Sequence, residues 1–470
     1  MPMIDISKGV FKTQDRRSLR NSPYADELIN MFIGRSGENY DRPTLSSFTT
    51  LSSSDIIGAY YFTPFIVCVT QDRKIYTVNL DVSNTVTDVT STSLPGSGRP
   101  VFTDDGTNVY IAGGAAPIKW EGLGTTTSLL GGSPPDMTHI LYSDGYLIGM
   151  GADGQSVRFS NYQTPETWSA LNVFSAVGDP DDIKGGAVSQ REIYLVGEKT
   201  TELWQNVGAY PVPFARAYVY QYGTNAPYSV HSVDGSIFFL ERSKRVIRII
   251  GRQIERVSDG IEGELSSYTN VEDCWSTSFG WDGSIHVVFV FPTEEKAWSI
   301  DLKNGDWTEW RGYDNGLDRV RINSIAYAED RNKVYAGDFF SSNLWQFSDT
   351  EKTDAGDIFV RRRTFSHVDQ GTSNRKRAKW LRINMKRNVA SAYEGADELS
   401  NPVIELRWKD DNKLWSDWKK VNLGLKGTQE YYAYFRNLGI YRTRQYQLQM
   451  TDPAECNIIS IETEEDLMLR

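Results

Sequence analysis

Cysteine is scarce in this chain, with three in 470 residues. Cys68, Cys274 and Cys456 lie far apart, are odd in number and form no C-x-x-C pattern. That excludes a disulfide framework and reads as buried thiols made in a reducing cytoplasm. Long hydrophobic runs are missing too. No apolar stretch approaches 18 residues, so no membrane insertion is expected. Met1–Arg20 is polar and charged and lacks the apolar core of a secretory leader. Histidine is limited to His139, His231, His286 and His367, which are scattered. A nucleophilic triad needs such a base beside an activated Ser or Cys, and there is no G-x-S-x-G elbow. No His/Cys cluster suits zinc. Gly113-Gly114 and Gly131-Gly132 lack the Lys-Ser/Thr ending of a phosphate loop. No long amphipathic helix is evident. The chain is therefore expected to be no enzyme, with no catalytic residues, no metal and no cofactor.

Positive charge is also in deficit. Lys+Arg number 50 against 61 Asp+Glu, a net charge of −11. The imbalance is uneven: Gly356–Arg470 carries 20 basic against 16 acidic residues, and the rest carries 30 against 45. A mostly acidic body repels polyanions, which excludes a general nucleic-acid binder. It leaves room for a wall that DNA slides past.

What is present is a repeat. Apolar run, polar turn and second apolar run recur at Ile57–Thr70 (turn near Pro64), Pro100–Gly113 (Asp105-Gly106) and His139–Gly151 (Asp144-Gly145). They recur again at Gly186–Glu198 (near Gln190), Ser229–Leu240 (Asp234-Gly235), Phe279–Phe291 (Asp282-Gly283) and Ile325–Gly337 (near Asp330). Successive turns are 41, 39, 46, 44, 48 and 48 residues apart. Asp-Gly between apolar runs signals a tight hairpin, because the turn needs positive φ. One such unit cannot bury its own faces, and several stacked around an axis bury them against each other. The pattern predicts an all-β chain with a β-propeller of about seven blades, possibly six. A long β-sandwich with turns at chance spacing is the alternative. Trp204, Trp298 and Trp345 fall late in their units and read as blade-core residues.

Residues 1–50 show no clear strand pairing and read as an extended arm, packed on the body or on a neighbouring subunit. Residues 51–350 form the propeller. Glu351–Asp357 is polar and breaks the pattern. Residues 351–470 then show six strand-like runs with period-2 alternation, as in Gln445/Gln447/Gln449 against Tyr446/Leu448/Met450, and predict a C-terminal antiparallel β-sandwich or jelly-roll-like domain.

Few residues offer chemistry. Asp179-Pro180-Asp181-Asp182 reads as a solvated turn rather than a calcium loop. Glu294-Glu295 could serve a glycosidase, which needs two acids, but adjacent acids in a turn usually face solvent. The basic stretch Arg361-Arg362-Arg363, Arg375-Lys376-Arg377, Lys379, Arg382, Lys386 and Arg387 is the sharpest charged feature. It reads as a patch for an acidic partner or for DNA phosphates, with a protein interface favoured, against the alternative of a solvated sheet face.

Three stretches stand out: Asn30-Met31 with Arg42-Pro43-Thr44-Leu45; Val157–Asn161 running to Pro165-Glu166-Thr167-Trp168; and Trp408-Lys409-Asp410-Asp411 through Leu414-Trp415-Ser416, Phe435–Gly439 and Tyr441–Arg444 to Thr451-Asp452-Pro453. In these the chain resembles the tail hub, or nozzle, proteins of short-tailed bacteriophages. The family is also called packaged-DNA stabilisation protein or tail accessory factor in Salmonella phages of that type. The resemblance implies a homohexameric ring in the virion tail, assembled in the host cytoplasm. Its implied partners are the portal-adaptor, tail fibres or a tailspike, a plug or needle, and packaged DNA that passes without sequence-specific binding. Interface roles are expected for Met31, Phe32, Arg361, Arg362, Arg363, Arg375, Lys376 and Arg377. A carbohydrate-binding or glycosidase-type propeller is the alternative function, and a scaffold for cellular partners a third.

Overall fold

The computed structural model describes residues 3–11, 22, 24–175, 181–313, 317–386, 402–411, 413–423 and 430–468. Among them regular structure is almost all strand, with one short α-helix at Glu262–Ser267 and 3₁₀ turns at Pro227–Ser229 and Glu329–Arg331. Six four-stranded sheets, and a seventh set of four strands inside a ten-stranded sheet, form the blades of a propeller. The blades open with the strands Ile56–Phe62, Val101–Asp104, Met137–Ser143, Ile183–Ser189, His231–Val233, Trp275–Trp281 and Ser324–Ala328. Each predicted hairpin is the innermost pair of one blade, which settles the count at seven.

The turns explain why the hairpins were legible. Asp144-Gly145, Asp234-Gly235 and Asp282-Gly283 each have positive φ at both residues and close a two-residue loop. That is the twist-matched type I′ geometry, which glycine adopts without a Cβ clash.

Period-2 alternation then does the packing. Along Phe65–Thr70, Val67 and Val69 face Val109, Ile111 and Trp120 of the second blade. The intervening Ile66 and Cys68 face Ala326, Tyr335 and Leu344 of the seventh. A blade is apolar on both faces because both faces are interior. Trp204 and Trp345 sit in such clusters, and Trp298 packs among fifth- and sixth-blade residues. The ring closes with a strand from the other end: Thr44–Thr50 pairs antiparallel with Asn343–Ser348 as the outer strand of the seventh blade.

Beyond the propeller lie two antiparallel sheets over one core. The first contains Arg361–Phe365, Arg444–Met450, Val403–Asp410 and Lys419–Asn422. The second centres on Lys376–Lys386, flanked by Asn457–Leu467 and Glu430–Arg436. Leu406, Tyr446 and Leu448 from one, and Leu381, Ile383, Phe435 and Ile461 from the other, share an apolar cluster.

The expectation of an N-terminal arm without strand pairing is corrected here. Ala25–Ile29 pairs with Arg361–Phe365 on one side and runs parallel to the sixth-blade strand Trp307–Tyr313 on the other. It thereby joins blade and C-terminal sheet into one ten-stranded sheet. Met3–Ile4 and Asn39–Asp41 add to the second sheet beside Asn457–Leu467.

Candidate functional site: an arginine-built junction and an exposed basic hairpin

The structure sorts the predicted interface residues by burial. Met31 and Phe32 lie in the interior, Met31 in the C-terminal core and Phe32 between the sixth and seventh blades. Arg361, Arg363 and Lys376 are also buried. The interface reading is corrected for these five, because the chain itself covers them. Alternation is the reason: in Arg361–Phe365 the first and third arginines point inward, while Arg362 is half-buried and pairs with Gln449 at 2.8 Å. Arg375 and Arg377 are exposed on either side of Lys376. Lys376 donates to the carbonyls of Thr372 (2.7 Å) and Asn374 (2.9 Å), and so ties down the hairpin loop that presents its neighbours.

The inward arginines build a junction between arm, propeller and C-terminal sheets. Its centre is Arg42, which is fully buried. Its Nη2 is 2.5 Å from Asp354 Oδ2, its Nε donates to Asn30 Oδ1 at 2.8 Å and its Nη1 to the Pro43 carbonyl at 2.7 Å. Trp310 and Phe359 flank the guanidinium at 5.1 and 5.0 Å. Asn30 donates in turn to the carbonyls of Arg311 (2.9 Å) and Val360 (2.8 Å). Asp354 accepts the amide of Leu45 at 3.0 Å. A buried charge needs this saturation, because desolvation otherwise outweighs pairing. Beside it Asp41 lies 3.6 Å from Arg361 and 3.7 Å from Lys352. Burial raises the Asp41 carboxyl above its ordinary range, opposed by Arg361 and then Lys352. Arg363 donates to Asn39 Oδ1 at 2.7 Å and to the Lys8 carbonyl at 3.1 Å. Burial pulls its pKa down to about 9. The polar stretch expected to be a domain boundary is thus pinned through Asp354. No local signal marks Arg42 for burial, since Asp41 directly precedes it and Asp354, the partner that neutralises it, lies 312 positions away.

Next to the junction a groove of about 980 Å³ opens between the seventh blade and the second sheet. Glu38, Asp41, Asp349, Glu351 and Glu455 make its lining acidic, with Lys333 and Lys352 as counter-charges.

The residues weighed for chemistry have structural work. Glu294 accepts the amides of Thr269 (2.6 Å) and Asn270 (2.8 Å). Asp181 accepts those of Lys199 and Thr200, both at 2.8 Å, while Asp179 and Pro180 lie outside the described residues. Burial lowers His139, His231 and His286 to about 4. His286 is stacked between Phe32 (4.3 Å) and Phe279 (5.4 Å). Arg387 also lies outside the described residues, as does the side chain of Lys386.

One end of the propeller axis is bridged. The Arg99 amide, entering the second blade, donates to the Tyr228 hydroxyl, entering the fifth, at 3.0 Å. The Arg99 guanidinium lies 4.3 Å over Trp275 of the sixth and donates to the Asn323 carbonyl before the seventh.

Over residues 44–352 the sequence matches the family model described as bacteriophage P22 Gp10, beta-propeller. The chain belongs to this family of phage tail stabilisation proteins. The match begins with the closing strand at Thr44 and ends just past the seventh blade, so it covers the propeller as the structure draws it. Gp10-family membership makes the chain a phage structural protein and a virion component. No curated protein matches. Among solved structures, the WD40 propeller of Doa1 is similar at 12% identity and a TM-score of 0.42, covering 66% of this chain and 97% of that one. The propeller of Swd1 from Myceliophthora thermophila is similar at 8% identity and a TM-score of 0.45, covering 65% and 100%.

Proposed function

We propose that this Gp10-family protein is the hub or nozzle of a short phage tail. Copies form a closed ring of six below the portal-adaptor and extend the DNA channel. The ring anchors fibres or a tailspike, meets a plug or needle, and retains and later releases the packaged genome. Family membership is the observation that carries this reading. The chain acts through surfaces and not through catalysis.

Three features of the molecule support it. The ten-stranded sheet couples propeller and C-terminal sheets without a flexible linker, as suits a subunit that must hold its shape under load. A ring needs a head-to-tail contact between unlike surfaces. The exposed Arg375 and Arg377 on one side and the acidic groove on another are unlike and complementary. The bridged propeller axis favours a DNA path between copies rather than through one propeller, and acidic outer walls keep DNA from adhering.

Negative-stain imaging of the protein alone and mixed with the portal-adaptor complex tests the reading. Rings stacked on that complex are expected. A monomer that ignores the complex would overturn it.

A further inference from the structure

The basic hairpin and the acidic groove stand at opposite ends of one strand. Lys376–Lys386 begins opposite Leu467 and ends opposite Asn457. Arg375 and Arg377 flank its first residue, while Asn457 and Glu455 line the groove beside its last. From 376 to 386 is ten residues, roughly 33 Å at about 3.3 Å each. Features so placed cannot meet within one copy. Between copies they meet head to tail, the contact from which closed rings are built.

Both features carry charge that the chain leaves unpaired. Along the same strand Lys379 pairs with Glu464 (3.1 Å) and Asp466 (2.8 Å), and Arg382 with Glu462. Arg375 and Arg377 are exposed and, among the described residues, have no carboxylate within 4.0 Å. Their loop is held in shape by Lys376 and by Arg442, which donates to the Ser373 carbonyl at 2.9 Å. Six acidic residues line the groove against three basic ones. Of the three, Arg42 is taken by Asp354 and Lys352 by Asp41. Asp349 and Glu351 are exposed and, among the described residues, have no cation within 4.0 Å. Asp41, its side chain nine-tenths buried, lines the groove too, and its Oδ1 accepts no hydrogen bond, with Arg361 Nε at 3.6 Å. Acceptors in surplus beside the rings of Tyr40 and Trp281 suit guanidinium groups, which bring five N–H donors and stack on aromatic faces. At about 980 Å³ the groove has room for a loop tip rather than a single side chain.

We infer that the groove of one copy receives the Arg375–Arg377 hairpin of the next copy, with Asp349 and Glu351 as the paired carboxylates. The inference rests on ring formation and names the two faces that make it.

Charge exchange tests this, read by negative-stain imaging of the full chain with the portal-adaptor complex. One variant carries Arg375→Glu and Arg377→Glu, the other Asp349→Arg and Glu351→Arg. Each alone is expected to lose rings, because like charges then face each other. An equal mixture of the two is expected to regain them. In alternating order every reversed hairpin meets a reversed groove, and every native hairpin a native groove. The regained rings also show that both variants fold. Rings that persist in either variant alone would overturn the contact and leave the ring reading standing. Rings lost in both variants and not regained on mixing would overturn it as well. A wild type without rings would overturn the ring reading and this contact with it.

Discussion

The propeller and the junction beside it solve burial in opposite ways. Between blades the interior is Val, Ile, Leu and Trp in interdigitating rows, and seven similar interfaces repeat around a ring. At the junction the interior is Arg42, Arg361 and Arg363, each with named acceptors and flanking rings. Apolar packing is tolerant of exchange, so it suits a repeated contact. Buried guanidinium groups are intolerant, because a missing acceptor leaves an uncompensated charge. The difference shows where this molecule needs a unique relative placement: where the propeller meets the C-terminal sheets.

The largest effect should come from breaking the junction. Arg42→Met leaves Asp354 buried and unpaired, and should cost about 3–5 kcal/mol in denaturant unfolding. Adding Asp354→Leu should recover most of that loss, since an apolar pair can replace a buried ion pair. No recovery would mean that the Arg42 contacts to Asn30 and Pro43 matter more than the charge. Ile247→Ala, between the fourth and fifth blades, should cost about 2–5 kcal/mol by leaving a cavity. Unlike Arg42→Met, it should be eased by a larger residue on the facing blade.

The third effect depends on pH. The buried imidazoles of His139, His231 and His286 stay neutral down to about 4, against an ordinary value of 6.5. Between those values the unfolded chain binds more protons than the folded one, so acid favours unfolding. Their contribution is complete above pH 6.5 and is lost as pH falls towards 4, with a slope of up to about 1.4 kcal/mol per pH unit for each group. His286→Phe, which keeps a ring between Phe32 and Phe279, should flatten the Tm–pH curve in that window. An unchanged curve would mean that His286 carries its proton in the folded state. The smallest effect on folding should come from the exposed hairpin. Arg375→Glu with Arg377→Glu should leave Tm unchanged while abolishing rings in the imaging assay. Rings that persist would remove this hairpin from the subunit contact.

The parts that were legible in the sequence are those whose causes are local. Asp144-Gly145 and Asp282-Gly283 announce their hairpins within four residues, because turn chemistry and flanking alternation sit side by side. Trp204, Trp298 and Trp345 followed from the same units. The strands of the first fifty residues were hidden because their partners lie hundreds of positions away: Thr44 faces Ser348, and Asn39 faces Ile458. Nothing within a window around Ala25–Ile29 reports that it will bridge a blade and another sheet. The basic run misled for a different reason. Counting charge treats Arg361, Arg362 and Arg363 as one patch, while strand periodicity sends two of them inward. Arg375 and Arg377 obey the same alternation around Lys376 with the opposite result, since here the odd positions face solvent. The groove left no trace in any single stretch, because it is assembled from the arm, the sixth and seventh blades and the second sheet.

The pairing of Thr44–Thr50 with Asn343–Ser348 also sets a timetable. The strand that completes the ring is synthesised before the first blade, yet its partner emerges ~300 residues later. At roughly 5–20 residues per second, that is a wait of about 15–60 s on the ribosome. Throughout it the flank of the first blade that carries Ile66 and Cys68 has no neighbour. The open ring is an incomplete circle with two sticky ends, and two nascent copies side by side could close on each other. Newly made chains are therefore most exposed to misassembly in the interval before the seventh blade appears.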